Sequence, residues 1–395
     1  MKDLYVKLCI FAGLCCLSSI RTVASNDKYP FFPHSKIDEQ RIRKMVDDIN
    51  TANISWKAEY NAKASLKGVL MGWAVDPEEM LASLQLDGLD VFTSVGQQIV
   101  GDTQTHLTTL ARGNITVPES FDAREKWSRC ASINQIQNQG GCGSCWAAAT
   151  VSVLSDRLCI SSDAKEQEMI SLQDLVSCCE YCGNCGGSWS TASGFLYWKE
   201  HGIVTGGSFG SSEGCRPYEV AATCGTPCPS FFMTLKYFQK CKKTCNKNHS
   251  NTYESDLKKG KSFYWLTINK SYREAGVAFA KVFSELDRVN SAFSLTSTDY
   301  IKRDIMINGP VSACTRVAEP FAHYRSGIFT SSFDSRGHEN LSYGHCMRLI
   351  GWGTENGEEF WTVANSWGTE WGENGFGRIS IGYYPEMLSV VGGLW

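Results

Sequence analysis

Between residue 26 and about residue 116 this chain has no cysteine, although its 395 residues carry 18 in all. No disulfide can tie that stretch to the rest. After the N-terminal 25 residues no apolar run is long enough to cross a bilayer, which excludes a chain built of membrane-spanning helices. An excess of charge is missing too: the net charge is −3 and no basic stripe occurs, so nothing favours a nucleic-acid partner. Histidine is absent from 202 to 248.

What is present begins with a targeting pattern. Met1-Lys2 is followed by "LYVKLCIFAGLCCLSSI" and then small residues at Val23 and Ser25, the form of a signal peptide over 1–25. Residues 117–395 hold fifteen cysteines, which points to an oxidising compartment and to the secretory pathway, with the lysosome or the extracellular space as destination. Sequons begin at Asn53, Asn114, Asn248, Asn269 and Asn340, and glycosylation is expected at some of them. The change in cysteine content sets the domain boundary: an N-terminal region over 26–116 and a disulfide-rich unit over 117–395.

Within 26–116, Ile37, Ile42, Met45, Val46 and Ile49 fall at helical spacing and predict an amphipathic helix that docks on something. In the second unit, "CWAAATVSVLSDRLC" predicts a buried helix. "CMRLIGWG" and "EEFWTVANSWG" predict antiparallel strands with tight turns. A helical part and a sheet part suggest an α+β unit of two lobes with a cleft. Phe279, Val282, Phe283, Leu286, Val289 and Phe293 predict a further amphipathic helix at about 272–293, read first as packing on its own domain and second as a docking surface.

The stretch "QNQGGCGSCWAAAT" places Cys145 at the start of the buried helix, three residues after Cys142. An ordinary thiol ionises near ~8.5, but a helix N-terminus and a histidine favour the thiolate. "YGHCMRLIGWG" offers His345, and "VANSWGTEWGENGFGRI" offers Asn365 on the next strand. The turn "GTENGEE" would set the two strands side by side. An Asn365 amide could hold the imidazole tautomer, with Trp367 and Trp371 keeping water away. Gln139 could donate to an oxyanion together with the backbone N–H of Cys145.

These three segments resemble the papain-like cysteine proteases. "VPESFDAREKWSRC", "DLVSCC", "GCRPYEV", "CKKTC" and "RDIMINGPVSA" resemble the cathepsin B-like subfamily more closely, as does "ISWKAEYN" further upstream. The resemblance implies a papain-like two-lobe fold, with a helical left lobe and an antiparallel β-barrel-like right lobe. It implies a propeptide over 26–116 and a thiol peptidase acting on proteins and peptides. Cys145, His345, Asn365 and Gln139 would be its catalytic residues. The own propeptide would be its inhibitor and cystatin-like proteins further partners; no cofactor and no metal are expected.

The same resemblance implies the pairs Cys130–Cys159, Cys142–Cys185, Cys178–Cys241, Cys179–Cys182, Cys215–Cys245 and Cys224–Cys228, which leaves Cys145 as a thiol. Substrate would lie against Gly186, Gly187 and Trp367. The pocket for the second residue before the scissile bond would be lined by Cys314, Cys346 and Ser389, with Glu386 a three-residue slip away and Trp189 as a further wall. Cys314 and Cys346 are read first as small buried hydrophobes and second as a bridge.

The chain departs from the family in three respects. His345 and Asn365 lie 200 and 220 residues beyond Cys145, a longer interval than is usual, so insertions are expected. The occluding-loop stretch "CRPYEVAATCGTPCPSFF" holds no histidine, which puts carboxydipeptidase activity in doubt. The apolar "PSFFMTLKYF" follows it without an assigned role. Cys182-Gly-Asn-Cys185 lacks the second soft-ligand pair that zinc needs. His201, His249, His323 and His338 are read as surface or core residues. The alternative function is a non-catalytic homologue that binds rather than cleaves.

Overall fold

The computed structural model describes residues 36–64, 91–188, 191–222, 240–268, 288, 292–330, 342–382 and 389–395. The signal peptide, Cys224, Cys228, Trp189, Glu386, His338, Asn269, Asn340, the apolar stretch at 229–238 and most of the expected 272–293 helix lie outside them.

The multi-turn helices are α1 (Lys36–Thr51), α2 (Val91–Arg112), α3 (Cys145–Ser161), α4 (Leu172–Cys178), α5 (Thr191–Glu200) and α6 (Ser297–Asn308). The strands are β1 (Trp56–Ala58), β2 (Phe121–Asp122), β3 (Ser262–Ile268), β4 (Val311–Ala318), β5 (Tyr324–Phe329), β6 (Ser342–Glu355), β7 (Glu358–Ala364), β8 (Phe376–Ser380) and β9 (Ser389–Leu394). They form one sheet in the order β1-β5-β8-β7-β6-β4-β9-β3, with β2 beside β6. All pairs are antiparallel except β5 with β8, where Ile328 meets Arg378. The path is open, with β1 at one end and β3 at the other.

α3 lies between the helical side, where it packs on α4 and α5, and the sheet, where it packs on β6, β4 and β9. Every residue from Cys145 to Cys159 is buried. That explains its all-round apolar sequence. The polar exceptions are paired: Asp156 accepts from Arg348 of β6 at 2.6 Å, and Arg157 donates to Asp304 of α6 at 2.6 Å. Two buried ion pairs thus tie the helical side to the sheet and to α6.

β6 and β7 join through Asn356-Gly357, with φ of 53° and 81°. Positive φ at both central residues is the hairpin turn whose twist matches the strands. The sequence signal "NG" predicts this hairpin.

The N-terminal region docks at both ends of the sheet. α1 buries Ile42, Met45, Val46 and Ile49, as their spacing predicts. Trp56 of β1 lies opposite Gly327 of β5 and packs against Phe329 at 4.7 Å between ring centroids. Gly327 has φ +89°, and a Cβ there would lie 2.3 Å from the Ser55 carbonyl oxygen. Only glycine allows that approach. Arg41 clamps Glu319 with two bonds of 2.6 Å. At the far end, α2 packs along β3 and against α6.

Candidate active site

Cys145 is the first residue of α3, so its thiol sits where unpaired helix N–H groups point. The loop before it is held by the Cys142–Cys185 disulfide and by Gly143 donating to the Cys185 carbonyl at 2.7 Å. Gly186 and Gly187 form the rim of that disulfide, turned back by reciprocal backbone bonds between Asn184 and Gly187 of 2.9 and 3.0 Å. Among the described residues Cys145 is the cysteine outside any disulfide.

His345 lies on β6 and Asn365 follows β7. Their side chains meet, His345 Nε2 to Asn365 Oδ1, at 2.8 Å. The same Oδ1 accepts the backbone N–H of Ser366 at 2.7 Å. A backbone N–H can only donate, so that atom is the amide oxygen. His345 Nε2 must therefore carry its proton, and Nδ1 of the neutral ring is the base. Nδ1 is buried and has no hydrogen-bond partner among the described residues. The backbone of the next residue, Cys346, hydrogen-bonds the Cys145 sulfur, which puts the thiol beside the His345–Cys346 peptide.

Trp367 lies over the imidazole at 4.6 Å between centroids, and Trp371 meets Trp367 edge-on at 5.7 Å. Phe321 completes the cover at 6.4 Å from His345. Trp367 is 1 % exposed. It shields the histidine–asparagine bond from water and presents little surface to a substrate in this state.

Gln139 is fixed on all sides. Its Oε1 accepts from Ser366 Oγ at 2.7 Å, and its Nε2 donates to the Cys142 carbonyl at 3.0 Å. Tyr218 donates to its backbone carbonyl at 2.8 Å. One N–H of the side-chain amide is left over for a further acceptor. Ser366 and Tyr218 are absent from the sequence-level list of site residues. Ser366 could have been found as the neighbour of Asn365, but Tyr218 approaches from a distant loop and carries no local signal.

Burial pushes the Cys145 thiol up to about 12, against the pull of the backbone groups of Cys346, Trp146 and Cys145 itself. Burial pushes the His345 imidazole down to about 4, against its bond to Asn365. Burial thus disfavours the charged form of both groups.

The disulfides Cys130–Cys159, Cys142–Cys185, Cys178–Cys241, Cys179–Cys182 and Cys215–Cys245 are formed. Cys182-Gly-Asn-Cys185 is thus divided between two bridges. Cys314 and Cys346 are also bonded to each other, which corrects the first reading of them as separate small hydrophobes. They lie directly opposite on β4 and β6, with Cα atoms 4.0 Å apart. Ser389 of β9 is opposite Cys314 on the other side. Cys346, Cys314 and Ser389 therefore form one row across three strands, and Ser389 Oγ is buried with no hydrogen-bond partner among the described residues.

Three further histidines among the described residues have structural partners. His249 bonds Asp256 at 2.7 Å, and His201 stands beside the Tyr197 ring at 5.0 Å. His323 is buried and its Nδ1 accepts the backbone N–H of Asn61 at 3.1 Å. Asn53, Asn114 and Asn248 are exposed or half-buried. No helix among the described residues is long and apolar enough to cross a membrane.

Residues 117–388 match the family described as papain family cysteine protease. Among curated relatives, cathepsin B-like cysteine proteinase 3 of Caenorhabditis elegans is 34 % identical over 344 residues, which cover 86 % of this chain and 78 % of that protein. Cathepsin B-like cysteine proteinase 6 of the same organism is 31 % identical over 408 residues, covering all of this chain and 94 % of that one. Among solved structures, procathepsin B S9 from Trypanosoma congolense superposes with a TM-score of 0.58 at 24 % identity, covering 91 % of this chain and 98 % of that one. Digestive procathepsin L 3 of Tenebrio molitor shares the fold at a TM-score of 0.54 and 17 % identity, covering 91 % and 90 %. With the family match over 117–388 and with relatives of this kind along its whole length, the chain belongs to the papain family of cysteine proteases, among its cathepsin B-like members.

Proposed function

We propose that the chain is the zymogen of a secreted or lysosomal endopeptidase, and that residues 26–116 act as a leader that keeps the site closed. The observation that carries the reading is the Ser366 N–H on Asn365 Oδ1, which leaves His345 Nδ1 as the basic nitrogen of the ring. Once the site opens to water, the cost of charging both groups falls, and the proton passes from Cys145 to Nδ1. The thiolate attacks the scissile carbonyl. The oxyanion is held by the spare Nε2–H of Gln139 and the backbone N–H of Cys145. His345 then protonates the leaving amine, and water hydrolyses the acyl-enzyme with His345 as base. Cys145→Ser should abolish turnover while the zymogen still folds; normal turnover by that variant would sink the mechanism.

The stub without histidines between Cys224 and Cys228 supports endopeptidase action with weak carboxydipeptidase activity. A free C-terminal carboxylate would lack charge-assisted bonds worth roughly 1.5–3 kcal/mol each. At the pocket for the second residue before the scissile bond, the row Cys346–Cys314–Ser389 has no carboxylate. An arginine there would be a buried charge without a partner. Apolar and aromatic side chains should be preferred, and a positional-scanning peptide library that returns arginine as the favoured residue would refute the pocket assignment.

A further inference from the structure

α2 presents one helical face to the body of the enzyme. Thr103, Leu107 and Leu110 are 1 %, 0 % and 2 % exposed, at the spacing of adjacent turns. It is held by charge at two places: Asp102, in mid-helix, pairs with Lys199 of α5 at 3.2 Å, and at the C-terminal end Arg303 of α6 donates to the Leu110 carbonyl at 2.8 Å. A guanidinium on the last carbonyls of a helix meets the negative end of its dipole.

Between these two contacts, His106 enters the interior. Its Nε2 lies 2.8 Å from Asp304 Oδ1, and its ring stacks on Tyr264 at 3.5 Å between centroids. Tyr264 and Asn308 donate to the same oxygen at 2.8 and 2.6 Å, and Arg157 donates to the other at 2.6 Å. Against the effect of burial, Arg157 and His106 hold the Asp304 carboxyl well below the usual range, so the acceptor stays ionised in acid. Arg157 belongs to α3, the helix that begins at Cys145.

Among the described residues β3 ends the sheet path and pairs with β9 alone. Such an edge exposes backbone donors unless something covers it. α2 packs along it, and Thr103 Oγ1 accepts the Trp265 backbone N–H at 3.3 Å. None of these contacts involves Cys145, His345, Asn365 or Gln139.

We infer that α2 is not shed with the rest of the leader: residues 101–112 stay docked on β3 and α6 in the active enzyme, as a structural part of the peptidase. This rests on the reading that activity requires the leader to leave the site. β1 and α1 dock at the opposite end of the sheet, on β5 and Glu319 beside the aromatic cover of His345, and their departure leaves the α2 seat untouched. A cut at exposed Thr116 would leave α2 as a separate, bound peptide; a cut upstream of α2 would leave it attached.

The test starts from the full-length zymogen, allowed to process itself and then labelled at Cys145 with a thiol-reactive epoxide. Native mass spectrometry of the labelled species should include residues 101–112. In the His106→Ala, Leu107→Ala double variant the melting temperature should fall by about 5–10 °C, and where the chain is cut at Thr116 the segment should also be lost from the labelled species. Labelled, stable enzyme that lacks 101–112 in the wild type would overturn the inference. If Cys145 takes no label, the proposed mechanism fails instead, and the mass of the processed chain still decides whether α2 is kept.

Discussion

Ser366 donates its backbone N–H to Asn365 Oδ1, and Asn365 Oδ1 receives His345 Nε2; together these two bonds determine which nitrogen of the ring is basic. A side chain that cannot accept at that place would free the ring to turn or to change tautomer. Asn365→Ala should therefore lower kcat by about 10²-fold, the scale of a misplaced acid–base group, with little change in KM. Single-turnover kinetics on the processed enzyme check it, and an unchanged kcat would mean that packing by Trp367 alone orients the imidazole.

At the scale of elements, the contact between β1 and β5 depends on one glycine. A Cβ at Gly327 would collide with the Ser55 carbonyl oxygen, and φ +89° is a conformation other residues resist. Gly327→Val should push β1 off the sheet edge and loosen the leader without touching the catalytic residues. The expected result is a several-fold faster conversion of zymogen to active enzyme. The processed enzyme should keep its kcat and lose only the small stability due to backbone strain. Conversion at the wild-type rate would show that β1 does not restrain the leader.

At the scale of the whole molecule, α3 is joined to the sheet through Asp156 and Arg348, both about 2 % exposed or less. Removing one member of such a pair leaves the other charged and buried. Asp156→Asn in the Cys145→Ser zymogen should cost about 3–5 kcal/mol, read from the denaturant midpoint. Stability should also depend on pH through the site. His345 is held neutral down to about 4 in the closed form, whereas an exposed imidazole binds its proton near 6.5. In the Cys145→Ser zymogen, where no thiol can hand the ring a proton, the unfolded chain therefore holds more protons below 6.5, and the folded form loses stability as pH falls towards about 4. The full loss is about 3 kcal/mol. The denaturant midpoint of that variant should fall across this window, and a midpoint flat from pH 7 to pH 4 would contradict the sign.

Much of this architecture was legible in the chain. The run from Gln137 to Thr150 predicts a thiol at the head of a buried helix, because local spacing and apolar content decide both. Asn356-Gly357 predicts the hairpin that brings His345 near Asn365, because the turn type depends on two residues alone. The helical face of Ile42, Met45, Val46 and Ile49 predicts α1 in the same way. The disulfide between Cys314 and Cys346 needed the register of β4 on β6, which a slip of one residue would have reversed. The proton on His345 Nε2 needed a backbone N–H from a neighbouring residue whose direction only the folded turn fixes. His106 was passed over altogether, since a lone histidine in a polar-looking helix carries no sign of a buried carboxylate some two hundred residues away. Local interactions are written in consecutive residues. Strand register, amide orientation and the seat of α2 depend on groups that meet only after the chain has closed on itself.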